Sequence, residues 1–437
     1  MKPAVRTQTL AVCIGQAGTP VGRLSHARQG QREFSAFAYD TQWLGSPQRF
    51  QLSPDLPLVA GFQARRAQSG SDSIFHGALA DTEPDAWGRR LVARAHARAR
   101  KKQPELGALT ELDYLAAVDD FSRVGALRLR DEQGQFLRTS TDGQSATPPL
   151  IDLERIHKAS QAVEKSEETA RDLLYLQGKG TSLGGMRPKC TVLDEQGRLA
   201  IGKFPSVTDT RSVTRGEVLA LHLARAAGID AAAARIVEVQ GTAVALIQRF
   251  DRTPGMGRIP YLSAAAMLQA SRDEDRSYTE IADLIRSQCA RPTDDLQQLW
   301  RRMVFNLLIT NVDDHLQNLG FLYEGQGQWR LAPAFDINPF PDKQQESKTW
   351  LSPDTGPIDS LPVLLAHAPH FGLVAPGAAE AVLAQVVKAV SGWRAVAQAP
   401  AVGLAGNRLN DFAAAFEHPA AQAARQVLGG TNHHENR

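Results

Sequence analysis

The stretch Asn311–Asn318, NVDDHLQN, follows directly on the apolar run Met303–Thr310, MVFNLLIT. Two adjacent carboxylates, Asp313 and Asp314, then His315 and the amide of Asn318 gather where a helix-like pattern stops. Such a group is either a solvated turn with a capping amide or a set of hard oxygen ligands for a cation. The spacing Asp-x-x-x-x-Asn alone does not choose between them, so the surrounding chain must.

Eighteen residues beyond Asn318, the run Leu331–Phe340, LAPAFDINPF, places Asp336 after apolar residues. In phosphoryl-transfer sites of the protein-kinase kind, one Asp receives the substrate hydroxyl proton. An Asn five residues on and a later strand-end Asp hold Mg²⁺ beside the triphosphate. Asp313, Asn318 and Asp336 have that order, although the last sits in Asp-Ile-Asn rather than Asp-Phe-Gly. Upstream, Lys203 ends the strand-like Arg198–Phe204, RLAIGKF. A Lys among apolar neighbours is costly unless it is paired or snorkels. Glu217, in the first turn of the apolar helix GEVLALHLARAAG, is its candidate partner; a first-turn Glu also suits the helix dipole. Before that strand lies GKGTSLGGMRPK, Gly178–Lys189, with Gly184 and Gly185 free to approach phosphate closely. It matches no standard phosphate-loop pattern. Each feature has a bland reading of its own; a Gly loop, strand Lys, helix Glu, Asp-x-x-x-x-Asn and later Asp in one order point to a nucleotide site.

The chain has 437 residues, 43% of them hydrophobic, enough to bury two or three cores. Its 49 basic and 47 acidic side chains leave a net charge of only +2, which argues against a global nucleic-acid footprint. Three scattered cysteines support neither a disulfide framework nor a zinc site, and point to a reducing cytoplasm. No apolar stretch is long enough for a membrane span, and no signal peptide is expected.

Residues 1–149 read as strands followed by helices, and end in the polar linker Thr139–Leu150, TSTDGQSATPPL. Residues 150–255 hold the Gly-rich loop and two hairpins around a helix. Residues 256–428 are mostly helical and carry the loops with Asp313 and Asp336, and 429–437 form a tail expected to be disordered. The expected class is α+β, with a β-rich N-terminal subdomain and N-lobe and a helical C-lobe, as in bilobal protein-kinase-like folds. His315 is expected to bond loop backbone, and Trp87 to lie in a core.

FHGALADTEPDAWGRRLV, SLGGMRPK, GKFPS, RFDR, NVDDHLQN and APAFDINP together resemble the HipA family, serine/threonine-protein kinase toxins of type II toxin–antitoxin systems. The resemblance covers nearly the whole chain. It implies Asp313 as the catalytic residue, Asn318 and Asp336 as Mg²⁺ ligands, and Lys203 on the ATP phosphates. It places the Gln248–Phe250 backbone at the adenine and makes Ser182 a site of autophosphorylation. It also implies a helix-turn-helix, HipB-like antitoxin holding operator DNA, and a protein substrate such as an aminoacyl-tRNA synthetase. The chain departs from the family at Arg187, commonly Gln, and at Gln317, commonly Lys. Arg90, Arg94 and Arg98 fall four apart on one helix face, a stripe that suits either DNA phosphates or solvent.

Two other readings compete. One is a regulatory module acting mainly as an antitoxin-bound co-repressor. The other is a metal-dependent phosphatase or nuclease using Asp313, Asp314 and Asp336, which leaves Lys203 and the Gly loop unexplained.

Overall fold

The computed structural model describes residues 6–65, 67, 72–138, 152–177, 185–272 and 274–431. The chain gathers into two compact units. The first is residues 1–208 with 248–273; the second is 209–247 with 274–437.

In the first unit, five antiparallel strands pair in the order Phe62–Arg65, Arg32–Tyr39, Thr19–Gln29, Arg6–Ile14, Leu127–Arg130. The register sets Leu10 against Leu24 and Leu24 against Phe37, and Val12, Leu24 and Phe37 are fully buried. That is the alternation expected of a sheet with one face in a core. Helix Ala86–Lys102 starts where the Asp85 carboxylate accepts from the Gly88 amide at 2.7 Å. Asp85 takes the capping position, and Pro84 lies just outside the helix. Trp87 and Leu91 bury its inner face, so Trp87 is a core residue. Helix Glu111–Ala117 begins with the capping box Thr110–Asp113. Two helices follow, Leu153–Lys165 and Ala170–Gln177; the first ends at Ser166, whose φ is +63°. The hairpin Lys189–Leu193/Leu199–Lys203 follows.

The RFDR motif closes this unit. The Asp251 carboxylate accepts from Arg249 at 2.5 Å, Arg252 at 2.7 Å and the Gly125 amide at 2.8 Å. The guanidiniums of Arg249 and Arg252 reach on to the carbonyls of Phe121, Ser122, Arg123 and Gly125. Burial pushes the Asp251 carboxyl up, but the two arginines prevail and hold it well below the usual carboxylate range. The same burial pulls Arg252 down to about 9.

In the second unit, helix Val213–Ala226 leads through Gly228, at φ +77°, into the hairpin Ala234–Val239/Thr242–Gln248. Helices Tyr278–Gln288 and Pro292–Leu308 follow; the first opens on the capping box Ser277–Glu280, the second on Pro292. Trp300, Met303, Val304 and Phe305 of the second, with Leu219, Leu223, Val386, Trp393, Phe412 and Phe416, are buried in the core. Beyond the loop at 311–319 come the hairpin Gly320–Gly325/Gln328–Leu331 and the short pair Trp350–Ser352/Gly356–Pro357. Helices Ala378–Ser391, Trp393–Gln398, Asn410–Phe416 and Pro419–Thr431 complete it. Among the described residues no helix is long and apolar enough to cross a membrane.

Removing one partner of a buried ion pair strands the others. Asp251→Ala should therefore cost about 3–5 kcal/mol, lowering the thermal midpoint by roughly 10 °C in a calorimetric scan of the full chain.

Candidate functional site

Helix Pro292–Leu308 stops because Thr310 turns the chain out through a left-handed conformation, φ +53°. Asn311 then ties two loops together. Its side-chain nitrogen donates to Asn306 Oδ1 at 3.0 Å, and its oxygen accepts from the Asn338 amide at 3.2 Å. The Phe340 amide donates to the Thr310 carbonyl at 3.1 Å. The Asp336 segment is thus laced to the start of the Asp313 loop by one backbone bond, Phe340 to Thr310, and one bond to the Asn311 side chain.

Within the loop, Asn318 Nδ2 donates to the Asp313 carbonyl at 2.8 Å. That leaves the amide oxygen as the end able to take a cation. Asp336 is itself left-handed, φ +53°, a conformation costly for a residue with a Cβ and concentrated at functional sites. Its carboxylate has a long contact, 3.5 Å, from Asn338 Nδ2, while the Asn338 oxygen is buried with no hydrogen-bond donor. One carboxylate, one turned amide and one orphaned amide oxygen are hard, neutral-to-anionic donors of the kind Mg²⁺ takes, and they fit it. Among the described residues no three His, Cys, Asp or Glu side chains form a closed metal cage. Mg²⁺ beside phosphates ordinarily needs only one or two carboxylates.

His315 lies among these groups. Burial pulls its imidazole below the ordinary value against the pull of Asp313 and, more weakly, Asp336. Its Nδ1 is buried without a partner, so the expected bond from the ring to loop backbone is not made at that nitrogen. Asp314 points inward and is the loop's anchor. It accepts from Tyr278 Oη at 2.7 Å and from the Lys348 amide at 2.7 Å, while its carbonyl accepts from Thr349 Oγ1 at 2.6 Å. Burial raises its carboxyl to about 6 despite those donors. Asp313, by contrast, is half-exposed and forms an ion pair with the Lys348 ammonium. Between side chains this exposed, such a pair is worth only about 0–1 kcal/mol.

Glu217 is only 3% exposed on helix Val213–Ala226. The helix begins three residues earlier than its sequence suggests, so Glu217 occupies its second turn. Preceding Gly216 lets the helix approach Pro339 and Phe412; a Cβ there would come within 2.7 Å of the Phe412 ring. The Glu217 helix thereby seats on the loop that carries Asp336.

The first unit assembles a cationic corner. Lys189 and Lys203 are directly opposed in their hairpin, so both side chains project from one face. Lys189, 2% exposed, pairs with the buried Asp85 carboxylate at 3.1 Å. Gly185, at φ +86°, brings its backbone against this lysine: a Cβ would stand 3.2 Å from the ammonium. Its carbonyl accepts from the Trp87 amide at 3.4 Å. The Pro-Asp-x-Trp-Gly segment therefore brackets the end of the Gly-rich loop. Ser182 and Gly184 lie outside the described residues. Strand Thr242–Gln248 ends beside this hairpin, where the Arg249 amide donates to the Leu199 carbonyl at 3.0 Å.

Residues 10–133 match the HipA N-terminal domain, and residues 181–393 match the HipA-like C-terminal domain. The chain belongs to the HipA family. It is 26% identical over 343 residues to a Sinorhizobium fredii protein named "Putative kinase Y4mE", a match spanning 73% of this chain and 75% of that protein. A Haemophilus influenzae protein named "Putative kinase" is 22% identical over 190 residues, 38% of this chain and 55% of that one. The fold is that of HipA from Shewanella oneidensis MR-1, solved with HipB and operator DNA: TM-score 0.63, 18% identity, 96% of each chain covered. The α+β, HipA-like class expected from the sequence is the one observed.

One expectation needs correction in this HipA-family chain. The stripe of Arg90, Arg94 and Arg98 is not a free basic face. Arg90 donates to the Val163 carbonyl, Arg94 to Glu168 and Ser166, and Arg98 to the Glu168 carbonyl. The turn between the two helices at 153–177 exposes acceptors that these guanidiniums satisfy, so the same periodicity that suggested phosphate contacts serves packing. Sequence reading also passed over Asn338, although it stands two residues after Asp336. It gave Lys189 no role, and it had no signal for Lys348, which no motif marks.

Asp314 gives a signed pH prediction. Its folded value, near 6, lies above the ordinary carboxylate value of 3.8. The folded chain thus holds this proton more tightly than the unfolded one, and its contribution to stability is lost as pH rises from about 4 to 6. Asp314→Asn should lack that loss: from pH 4.5 to 7 the wild type should lose about 2 kcal/mol relative to the variant, read from paired thermal midpoints.

Proposed function

We propose that this HipA-family protein is an ATP- and Mg²⁺-dependent serine/threonine-protein kinase and the toxin of a type II toxin–antitoxin pair. The observation that carries the reading is the lacing of two loops by Asn311. It ties the start of the loop that carries Asp313 and Asn318 to the segment that carries the left-handed Asp336. The naming of relatives as kinases supports it.

In this reading Asp313 orients the acceptor hydroxyl and takes its proton, which its half-exposed position allows. Asn318 and Asp336 would hold Mg²⁺, which supplies charge neutralisation on the phosphates when bound. Lys203 contacts the phosphates from the end of its strand, and Glu217 is the acid assigned to balance it. The Gly-rich loop covers the phosphates, and Gly185 supplies close backbone approach where a side chain would collide with Lys189. The backbone of Gln248 and Phe250 meets the adenine. Ser182, in the same Gly-rich loop, is the proposed autophosphorylation site; a phosphate there adds about −1.5 to −2 charges beside the nucleotide phosphates. The substrate is a cellular protein, with aminoacyl-tRNA synthetases the class suggested by the family resemblance. The partner is a HipB-like helix-turn-helix antitoxin, by analogy with the Shewanella complex, and operator DNA is reached through it. The protein acts in the cytoplasm; none of its three buried cysteines forms a disulfide, which suits a reducing compartment.

Asp313→Ala should lower transfer of labelled γ-phosphate to protein by at least about 10²-fold, with the thermal midpoint unchanged within 2 °C by estimate. Phosphoproteomics of cells expressing wild type and variant reads both the loss and the substrate. Wild-type protein that binds an antitoxin yet labels nothing would favour the co-repressor reading instead.

A further inference from the structure

The loop Asn311–Asn318 contains two acids, an imidazole and three amides but neither Lys nor Arg. Its cation comes from elsewhere. The Lys348 ammonium rests on Asp313 Oδ1, although no motif links the two and 35 positions separate them. Their side chains are 56% and 38% exposed, so solvent already screens the pair and it adds little to folding.

The backbone beneath Lys348 is another matter. Its own amide donates to Asp314 Oδ1 at 2.7 Å, and Thr349 Oγ1 donates to the Asp314 carbonyl. Ser347 Oγ donates to the Thr349 carbonyl at 2.6 Å and accepts from the Ile358 amide at 2.7 Å. The Trp350 amide donates to the Arg276 carbonyl at 2.9 Å. A flexible, exposed charge thus starts from a rigid, multiply pinned base, and the pin is the residue next to Asp313. A lysine has three donors on a four-carbon stem and can serve a second acceptor without leaving the first.

We propose that Lys348 is a catalytic residue of the phosphoryl transfer, parked on Asp313 when no phosphoryl group is in reach. During transfer its ammonium contacts the oxygens of the moving group. The bond from the acceptor oxygen to the γ-phosphorus forms, and the bond from that phosphorus to the bridging oxygen breaks. The electron pair leaves with ADP, and the hydroxyl proton goes to Asp313. Lys348 keeps its own proton throughout and acts as a charge. This rests on the kinase reading above and adds to it a residue outside the loop motifs.

The test uses the full chain and two probes, ADP with Mg²⁺ and the same with aluminium fluoride, which imitates the transferring group. Lys348→Ala should bind ADP within about twofold of wild type but the fluoride complex about 10²-fold more weakly. Lys348→Arg, which keeps the charge, should recover part of the difference. Equal affinity of wild type and Lys348→Ala for the fluoride complex overturns the proposal, as does tighter binding by the variant, which would make Lys348 an inhibitory latch. Wild type that binds neither probe overturns the kinase reading itself, and with it this role.

Discussion

A carboxylate that burial makes expensive holds the candidate site together. Asp314 sits under its loop with two donors on its carboxylate, Tyr278 Oη and the Lys348 amide, and with Thr349 Oγ1 on its carbonyl. Without them a buried acid would be a liability. With them it fixes where the next residue back, Asp313, emerges toward solvent, and it fixes the segment from which Lys348 extends. Two adjacent aspartates of like chemistry are thereby divided into a structural one and an exposed one by environment alone, with the inner one raised to about 6.

The same logic recurs in the first unit. Lys189 is tolerated in the interior because Asp85 pairs with it, and Asp85 also caps helix Ala86–Lys102. Asp251 is tolerated because Arg249 and Arg252 surround it. In both places the ions hold a loop or a strand end in position, and in both the anchored element borders a residue assigned to nucleotide contact: Gly185 in one, Gln248 and Phe250 in the other.

The sequence was most informative where chemistry and backbone demand coincide. Asn311–Asn318 was legible because it leaves an apolar helix and crowds oxygens at once. The strands near the start of the chain and the two hairpins around a helix were legible as well. Hidden were contacts that depend on which elements become neighbours. Lys348 lies in SKTW, with no local pattern to mark it. Arg90, Arg94 and Arg98 carry a helical period that suits a DNA backbone as well as the carbonyls at a helix end; only the neighbouring turn at Ser166–Glu168 decides. The left-handed Asp336 was equally hidden, since Asp-Ile-Asn gives no sign of a positive φ.

The central claim is that Asn318 and Asp336 hold a divalent ion that a nucleotide shares. Calorimetric titration of ADP into the full chain, with Mg²⁺ and with a chelator, addresses it directly. The account predicts wild-type binding that weakens at least about tenfold when Mg²⁺ is withdrawn, and an Asp336→Ala variant whose weaker binding no longer responds to the metal. Wild-type affinity that is the same with and without Mg²⁺, or an Asp336→Ala variant that keeps the full response, would contradict it.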